Sequence, residues 1–268
     1  MPVDTLTNSR SEASVSGVSS CRPSDGIIAT LGAPATRNFL LRALAPADRM
    51  ALESGLALCE LTSGEVLYEP EYPVDHVWFP LTAVLSVVTV MRDGRAVESD
   101  TVGRESAVGI LAAISSAVCT SRTFAQVPGR ALRLSAARLR HQAEHSPELR
   151  KLLMRHALAN IAQAHQSVAC NALHTVRGRI CRWLLMTQDR TDSDTVRLTQ
   201  QYLATMVGVQ RTTVTQLLRE LADQGIVATR RGRVDILDRA ALEARVCECY
   251  GAIQANFERL IGRAPIAA

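Results

Sequence analysis

Residues 198–221, LTQQYLATMVGVQRTTVTQLLREL, constrain the fold more than any other stretch. Two helical hydrophobic repeats meet at Gly208: Leu203, Val207 and Val209 around the break, then Val214, Leu217, Leu218 and Leu221. A glycine at the break permits the left-handed backbone that a tight turn between two helices needs. Ala204 is small where the second helix must cross the first, and Thr199 has a hydroxyl suited to cap the first helix. The spacing predicts a helix-turn-helix whose second helix covers about 210–222. Opposite its apolar face lie Arg211, Thr212, Thr215, Gln216 and Arg219, a polar ridge shaped for a major groove. Arg and Gln can read purine edges in a bidentate way, and Thr can bond a base or touch a thymine methyl.

The motif has a second part. Gly225 ends the second helix, and two β-rich runs follow at 226–229 and 233–237, joined through Arg230-Arg231-Gly232. This pattern predicts a hairpin with a basic tip, a wing. From Gln210 to Arg233 five Arg stand against Glu220 and Asp223, a local net charge of +3 (five minus two). Helix-turn-helix and wing in register point to double-stranded DNA as partner. The contact set expected from them is Thr199, Gln210, Arg211, Thr212, Thr215, Gln216, Arg219, Arg230, Arg231 and Arg233.

The net charge of the 268-residue chain is only +4, so the basic character is local, as suits a reader of sequence rather than a general coat for nucleic acid. No apolar run is long enough to span a membrane, and the start, MPVDTLTNSR, lacks the pattern of a signal peptide. Seven cysteines, an odd and scattered set, then predict reduced thiols and a cytoplasmic protein. Catalysis is not expected: there is no nucleophile elbow, no phosphate-binding glycine loop and no His-Glu-x-x-His.

Residues 1–34 hold seven serines and few large apolar residues, which predicts a disordered extension. Short helices are expected over 36–54. Residues 56–135 change character, with strand-like runs near 65–68, 77–79, 85–91, 97–102, 121–127 and 130–134. Asp93-Gly94 marks a hairpin and Pro128-Gly129 a turn, so a small antiparallel barrel or jelly roll is expected over 56–135. Ser135 is placed to cap a short helix, and Ser146-Pro147-Glu148 opens a long one to about 173. That long helix carries Leu149, Leu152, Leu153, Ala157, Ile161, Ala164 and Val168, a stripe for the barrel, a partner helix or both. A further helix is expected over 175–190, a short strand near 196–198, and one final helix from Asp238 as cap to about 263.

The α+β order of these parts, antiparallel β-roll sensor, long dimerisation helix, winged helix-turn-helix, resembles the Crp/Fnr family of bacterial transcription regulators. The resemblance covers roughly 36–240 and is most specific in VRGRICRWLLMTQDR (176–190) and LTQQYLATMVGVQRTTVTQLLRELADQGIV (198–227). It implies a cyclic-nucleotide-binding-like sensor over 35–145, a dimer axis over 146–173, a DNA-binding domain over 174–240 and a C-terminal helix and tail over 241–268. It also implies a homodimer on a two-fold operator, a small-molecule effector, and RNA polymerase as a further partner. A cyclic nucleotide would be held by Gly-Glu and, about ten residues on, Arg-Ser/Thr. This chain instead has Gly103-Arg104-Glu105 and, 17 residues after Glu105, Arg122-Thr123. Glu105, Arg122 and Thr123 are the candidate effector residues, with an ion pair between Glu105 and Arg122 as the plainer expectation.

Cys170, His174, Cys181 and the Cys247-x-Cys249 pair form a rival set for metal or redox sensing. If 247 and 249 lie in one helix, their side chains point to different sides and do not share a metal. The expectation is therefore buried thiols and no metal. His141 and His145 are read as surface residues.

Overall fold

The computed structural model describes residues 37–262 apart from 95 and 192. The extension expected over 1–34 lies outside the described residues.

The described chain begins with two short helices, α1 (Phe39–Arg42) and α2 (Pro46–Glu53). Asn38 is fully buried at the start of α1. Its side-chain oxygen accepts from the Leu41 amide, and its NH2 donates to the carbonyls of Pro80 (3.0 Å) and Ser106 (2.9 Å). One satisfied polar side chain thus ties the entry helix to the roll.

Seven strands build the roll: β1 (Ala57–Leu61), β2 (Val66–Tyr68), β3 (His76–Pro80), β4 (Val84–Val90), β5 (Ala96–Val102), β6 (Arg122–Val127) and β7 (Gly129–Ser135). Helix α3 (Ile110–Ser115) lies between β5 and β6. The strands form two antiparallel sheets, ordered β1-β7-β3 and β2-β6-β4-β5. Asp93-Gly94 closes the β4–β5 hairpin, with Gly94 at φ +82°. The turn expected at Pro128-Gly129 has another role: β6 and β7 do not pair, and the chain passes there from one sheet to the other. Gly129 fits because the backbone of Thr82–Ala83 lies against it, and a Cβ would stand 2.7 Å from the Ala83 nitrogen.

Helix α4 (Ala136–His145) follows without the expected cap, since the Ser135 side chain makes no capping bond. Helix α5 (Pro147–Leu173) is capped as expected, with the Ser146 hydroxyl accepting from the Leu149 amide (3.1 Å). Two extended residues, His174 and Thr175, break the helical run, and Thr175 caps helix α6 (Val176–Arg190). Strand β8 (Thr195–Val196) joins β10, and helices α7 (Gln200–Val207) and α8 (Arg211–Asp223) follow. The wing is β9 (Val227–Arg230) and β10 (Arg233–Ile236) in a sheet ordered β8-β10-β9.

The final helix expected over 239–263 is two helices. Helix α9 (Arg239–Glu243), capped by Asp238, stops at Ala244, and α10 (Cys249–Ile261) starts after a break at 244–248. The break redirects the chain. α9 packs on α6, while α10 runs back along α5 and buries Ile253, Phe257 and Ile261 in the same apolar cluster as the roll. The C-terminal segment thus clasps the long helix instead of buttressing the wing.

The stripe expected on α5 divides. Leu149, Leu152 and Leu153 are buried against the roll, whereas Ile161 (47% exposed) and Val168 (71%) face outward with Met154 (72%) and Leu158 (52%). Together with exposed His165 and Ala172, these residues recur at alternating steps of four and three along one open face.

Candidate nucleic-acid interface and its joint to the roll

α7 and α8 meet at Gly208, which adopts φ +65°, ψ +40°, the left-handed conformation its position calls for. Leu203, Ala204, Val207, Val214, Leu218 and Leu221 are buried between the helices, the wing and α6. This packing turns Gln210, Arg211, Thr212, Gln216 and Arg219 outward, and all five are exposed. Thr215 is half-buried, and its hydroxyl donates to Gln200 Oε1 (2.6 Å), so it braces α8 against α7. Thr199 caps α7 by accepting from the Tyr202 amide (3.2 Å). The Gln216 amide donates to Glu220 (3.1 Å), and Glu220 also pairs with Arg177 of α6. Arg230 and Arg231 are exposed at the wing tip. Arg230 and half-buried Arg233 flank Asp235 at 3.8 and 3.5 Å. Ridge and wing thus both carry exposed arginines.

The other side of this unit leans on the roll. Tyr202 of α7 packs on Phe124 of β6, with ring centroids 6.1 Å apart. The Ser86 hydroxyl on β4 lies 3.4 Å from Met206 Sδ and donates to Glu98 Oε1 (2.6 Å). Val88 and Phe124 of the roll belong to the same apolar cluster as α7 and α8. Strands β4, β5 and β6 thus touch the helix-turn-helix directly.

The candidate effector residues do not meet. Arg122 pairs with Glu69 (2.7 Å), and Thr123 is buried on β6 opposite Val87. Glu105 pairs with Arg190, the last residue of α6, at 2.7 Å, and both side chains are largely buried. The whole Gly103-Arg104-Glu105 segment latches onto that helix end. Arg104 Nε donates to the Asp189 carbonyl (3.0 Å), a favourable place for a cation at a helix C-terminus. At Gly103 a Cβ would stand 2.4 Å from Arg190 Cγ, so glycine leaves room for the arginine stem. The expected ion pair between Glu105 and Arg122 is replaced by one pair for each. The Arg that interrupts Gly-Glu has a structural use that spacing alone does not reveal.

A small cleft beside the latch is lined by Glu98, Asp100, Gln163, Arg182, Met206 and other residues from β5, α5, α6 and α7. Burial pushes the Glu98 carboxyl up to about 7, against the pull of Ser86 and Arg190. Burial likewise pushes Asp100 up to about 8, against the pull of Arg190. Gln163 donates to Asp100 and to the Thr101 carbonyl (3.1 Å). His156, buried 2.7 Å from the Ser106 hydroxyl, is held down at about 4 by burial, which outweighs nearby Glu105.

The cysteine set also departs from expectation. Cys247 lies in the break before α10 and Cys249 is its first residue, so the helical argument that separates them does not apply. The donor atoms of Cys170, His174, Cys247 and Cys249 all lie within 4.8 Å of one another. Cys181 is buried and free outside this group. The expectation of seven reduced thiols is corrected at Cys59, which is disulfide-bonded. His141 and His145 are exposed, as expected.

Comparison with known proteins places these parts. Residues 178–245 match the Crp-like helix-turn-helix domain family, and residues 58–146 match the cyclic nucleotide-binding domain family. The transcriptional regulator SdrP of Thermus thermophilus is 28% identical over 103 residues, a stretch that is 36% of this chain and 51% of SdrP, so the match spans about half that relative. Among solved structures, FixK2 from Bradyrhizobium japonicum superimposes with a TM-score of 0.62 at 16% identity, covering 72% of this chain and 98% of FixK2. TTHB099, a CRP-family transcriptional regulator from Thermus thermophilus, gives 0.58 at 22% identity, covering 69% and 95%. The c-di-GMP responsive regulator CLP of Xanthomonas campestris gives 0.56 at 17% identity, covering 72% and 99%. At these identities the structural matches speak for the fold. No helix among the described residues is long and apolar enough to cross a membrane.

Proposed function

From a chain that belongs to the Crp/Fnr family of transcriptional regulators, we propose a homodimeric, sequence-specific DNA-binding regulator whose roll sets the orientation of its helix-turn-helix units. The carrying observation is the outward ridge on α8: an apolar face locks the helix in place while Arg211, Thr212, Gln216 and Arg219 stay exposed. In this reading Arg211 and Arg219 address guanines, Gln216 an adenine, and Thr212 a thymine methyl or base edge. Gln210, Thr199 at the α7 N-terminus, and Arg230, Arg231 and Arg233 on the wing hold phosphates and fix register. Thr215 acts through its bond to Gln200 rather than at a base. The working units are 35–145 as sensor, 146–173 as dimer axis, 174–240 as DNA reader and 241–268 as a C-terminal helix and tail.

The open stripe Met154, Leu158, Ile161, Val168 supports a second copy of the chain as the partner of α5. Its four-three spacing is that of a two-helix seam. Two copies place two α8 helices on successive major grooves, as a two-fold operator demands. RNA polymerase is the partner through which such a complex changes transcription, and the cytoplasm is where it meets DNA. A small-molecule effector would act on the roll, and the contacts of Met206 and Tyr202 give its displacement a route to α7.

The test is selection of operators from a random library, followed by titration at fixed salt. Arg211→Ala is expected to relax preference at one base pair per half-site and cost about 1–3 kcal/mol at each. Selection of the same sequences at unchanged affinity would refute this docking.

A further inference from the structure

We propose that Cys170, His174, Cys247 and Cys249 form a mononuclear, tetrahedral metal site of Cys3His type, suited to zinc or another thiophilic divalent ion. Cys170 lies in the last turn of α5, and His174, just past its end, donates its amide to the Cys170 carbonyl (3.1 Å), which holds the two residues together. Cys247, in the break, and Cys249, the first residue of α10, are brought to them because α10 packs along α5. The Cys170 and Cys247 sulfurs are 3.6 Å apart, and Cys249 Sγ is 3.3 Å from His174 Nδ1. With metal–sulfur distances of about 2.3 Å, neighbouring sulfurs in a tetrahedron lie about 3.8 Å apart, so these two separations are close to the edges of such a cage, and all four donor atoms lie within 4.8 Å of one another. An iron–sulfur cluster binds its ligands through different iron atoms and needs a wider one.

The surroundings fit a loaded site. Gln166 Nε2 lies 3.0 Å from Cys249 Sγ, placed to donate to a thiolate. The other nitrogen of His174 is 3.9 Å from the exposed Glu248 carboxylate, too far for a hydrogen bond in this structure but on the side where a ligating imidazole takes an acidic partner. Three thiolates and a divalent ion leave a net charge of −1 on the centre. Arg182 and Arg179 of α6 stand close enough to act on the cysteine charges, and the Nε of each is buried without a partner among the described residues. Cys170 and Cys249 are buried while His174 and Cys247 are half-buried, which leaves an ion a way in. On binding, three thiol protons pass to solvent and no electron is transferred.

The position gives the site a purpose. It pins the end of α5 to the start of α10 across the two-residue break from which α6 departs. A metal there fixes the angle between the long helix and the DNA-reading unit, and its removal frees that angle. The assignment of the ligands does not depend on the DNA reading.

The test uses the full chain, purified with reductant and without chelator. Elemental analysis is expected to find one metal per chain. Protein stripped under reducing conditions and titrated with Co2+ is expected to develop the visible bands of tetrahedral thiolate coordination, with one equivalent bound. His174→Ala and Cys249→Ser should abolish them, Cys181→Ser should leave them intact, and Gln166→Ala should weaken Co2+ binding about 10- to 100-fold. Alkylation should spare Cys170, Cys247 and Cys249 in the loaded protein and reach them after stripping. The proposal is overturned if folded, reduced wild-type protein takes up no Co2+. It is equally overturned if the bound metal survives loss of His174 and Cys249, or if a Cys170–Cys247 disulfide is the sole state found. The wild-type titration decides the matter even where a variant fails to fold.

Discussion

Replacing Arg190 with methionine removes the cation that joins α6 to the roll and keeps the stem volume. The side chain is only 5% exposed. Burial works against its charge, but the charge and hydrogen bond of Glu105 work in its favour. In Arg190→Met, Glu105 keeps the Gly103 amide (3.1 Å) as a donor and loses its ion pair. Removing one partner of a buried pair costs about 3–5 kcal/mol. The expected loss is therefore about 3–5 kcal/mol at pH 7. Urea unfolding measures it, and Glu105→Gln/Arg190→Met should recover a large part of the loss. A single-variant cost under about 1 kcal/mol at pH 7, or a double variant no better than the single, would refute the latch. Gly103→Ala offers an independent check, since the added methyl displaces the same arginine stem and should destabilise by about 1–3 kcal/mol.

Two further outcomes are expected. Ile161→Asp or Leu158→Asp places a charge in the open α5 seam and should convert a dimer to monomer in light scattering at micromolar concentration, with operator affinity falling in parallel. A dimer that persists in both would move the interface elsewhere. Stability contributed by two buried carboxyls should also fall as pH rises from about 4 to about 8. Glu98 and Asp100 have folded values of about 7 and 8, above their unfolded values, so the folded state holds protons that the unfolded state has released. His156, held at about 4, acts in the opposite sense between about 4 and 6.5 and there offsets about one of the two carboxyl contributions. Glu98→Gln and Asp100→Asn should flatten the upper limb in thermal melts, and an unchanged slope in both would rule out these groups.

The DNA-reading unit was legible because its signals are local. Gly208 at a turn, Thr199 and Thr175 as caps, and the amphipathic repeat of α8 each depend on residues within a few positions of themselves. The roll was legible as a class, from short strands and the Asp93-Gly94 turn. Which strands pair was not, because Pro128-Gly129 reads alike as a hairpin turn or as a passage between sheets. Only the approach of the Thr82–Ala83 backbone distinguishes the two.

The sequence by itself determined the helix-turn-helix, the wing and the long helix, whose periodicities and caps are properties of contiguous chain. Tertiary structure decided the partners of charges and thiols, which are set by residues far away in the chain. Glu105 and Arg122 are 17 positions apart in the chain, yet one is held by Arg190 and the other by Glu69. Cys247 and Cys249 are poor co-ligands within one helix. The break at 244–248 and the return of α10 along α5 bring both to Cys170 and His174. Spacing reports what a segment can do alone, and contacts across some 80 residues are chosen by the packing of the whole chain.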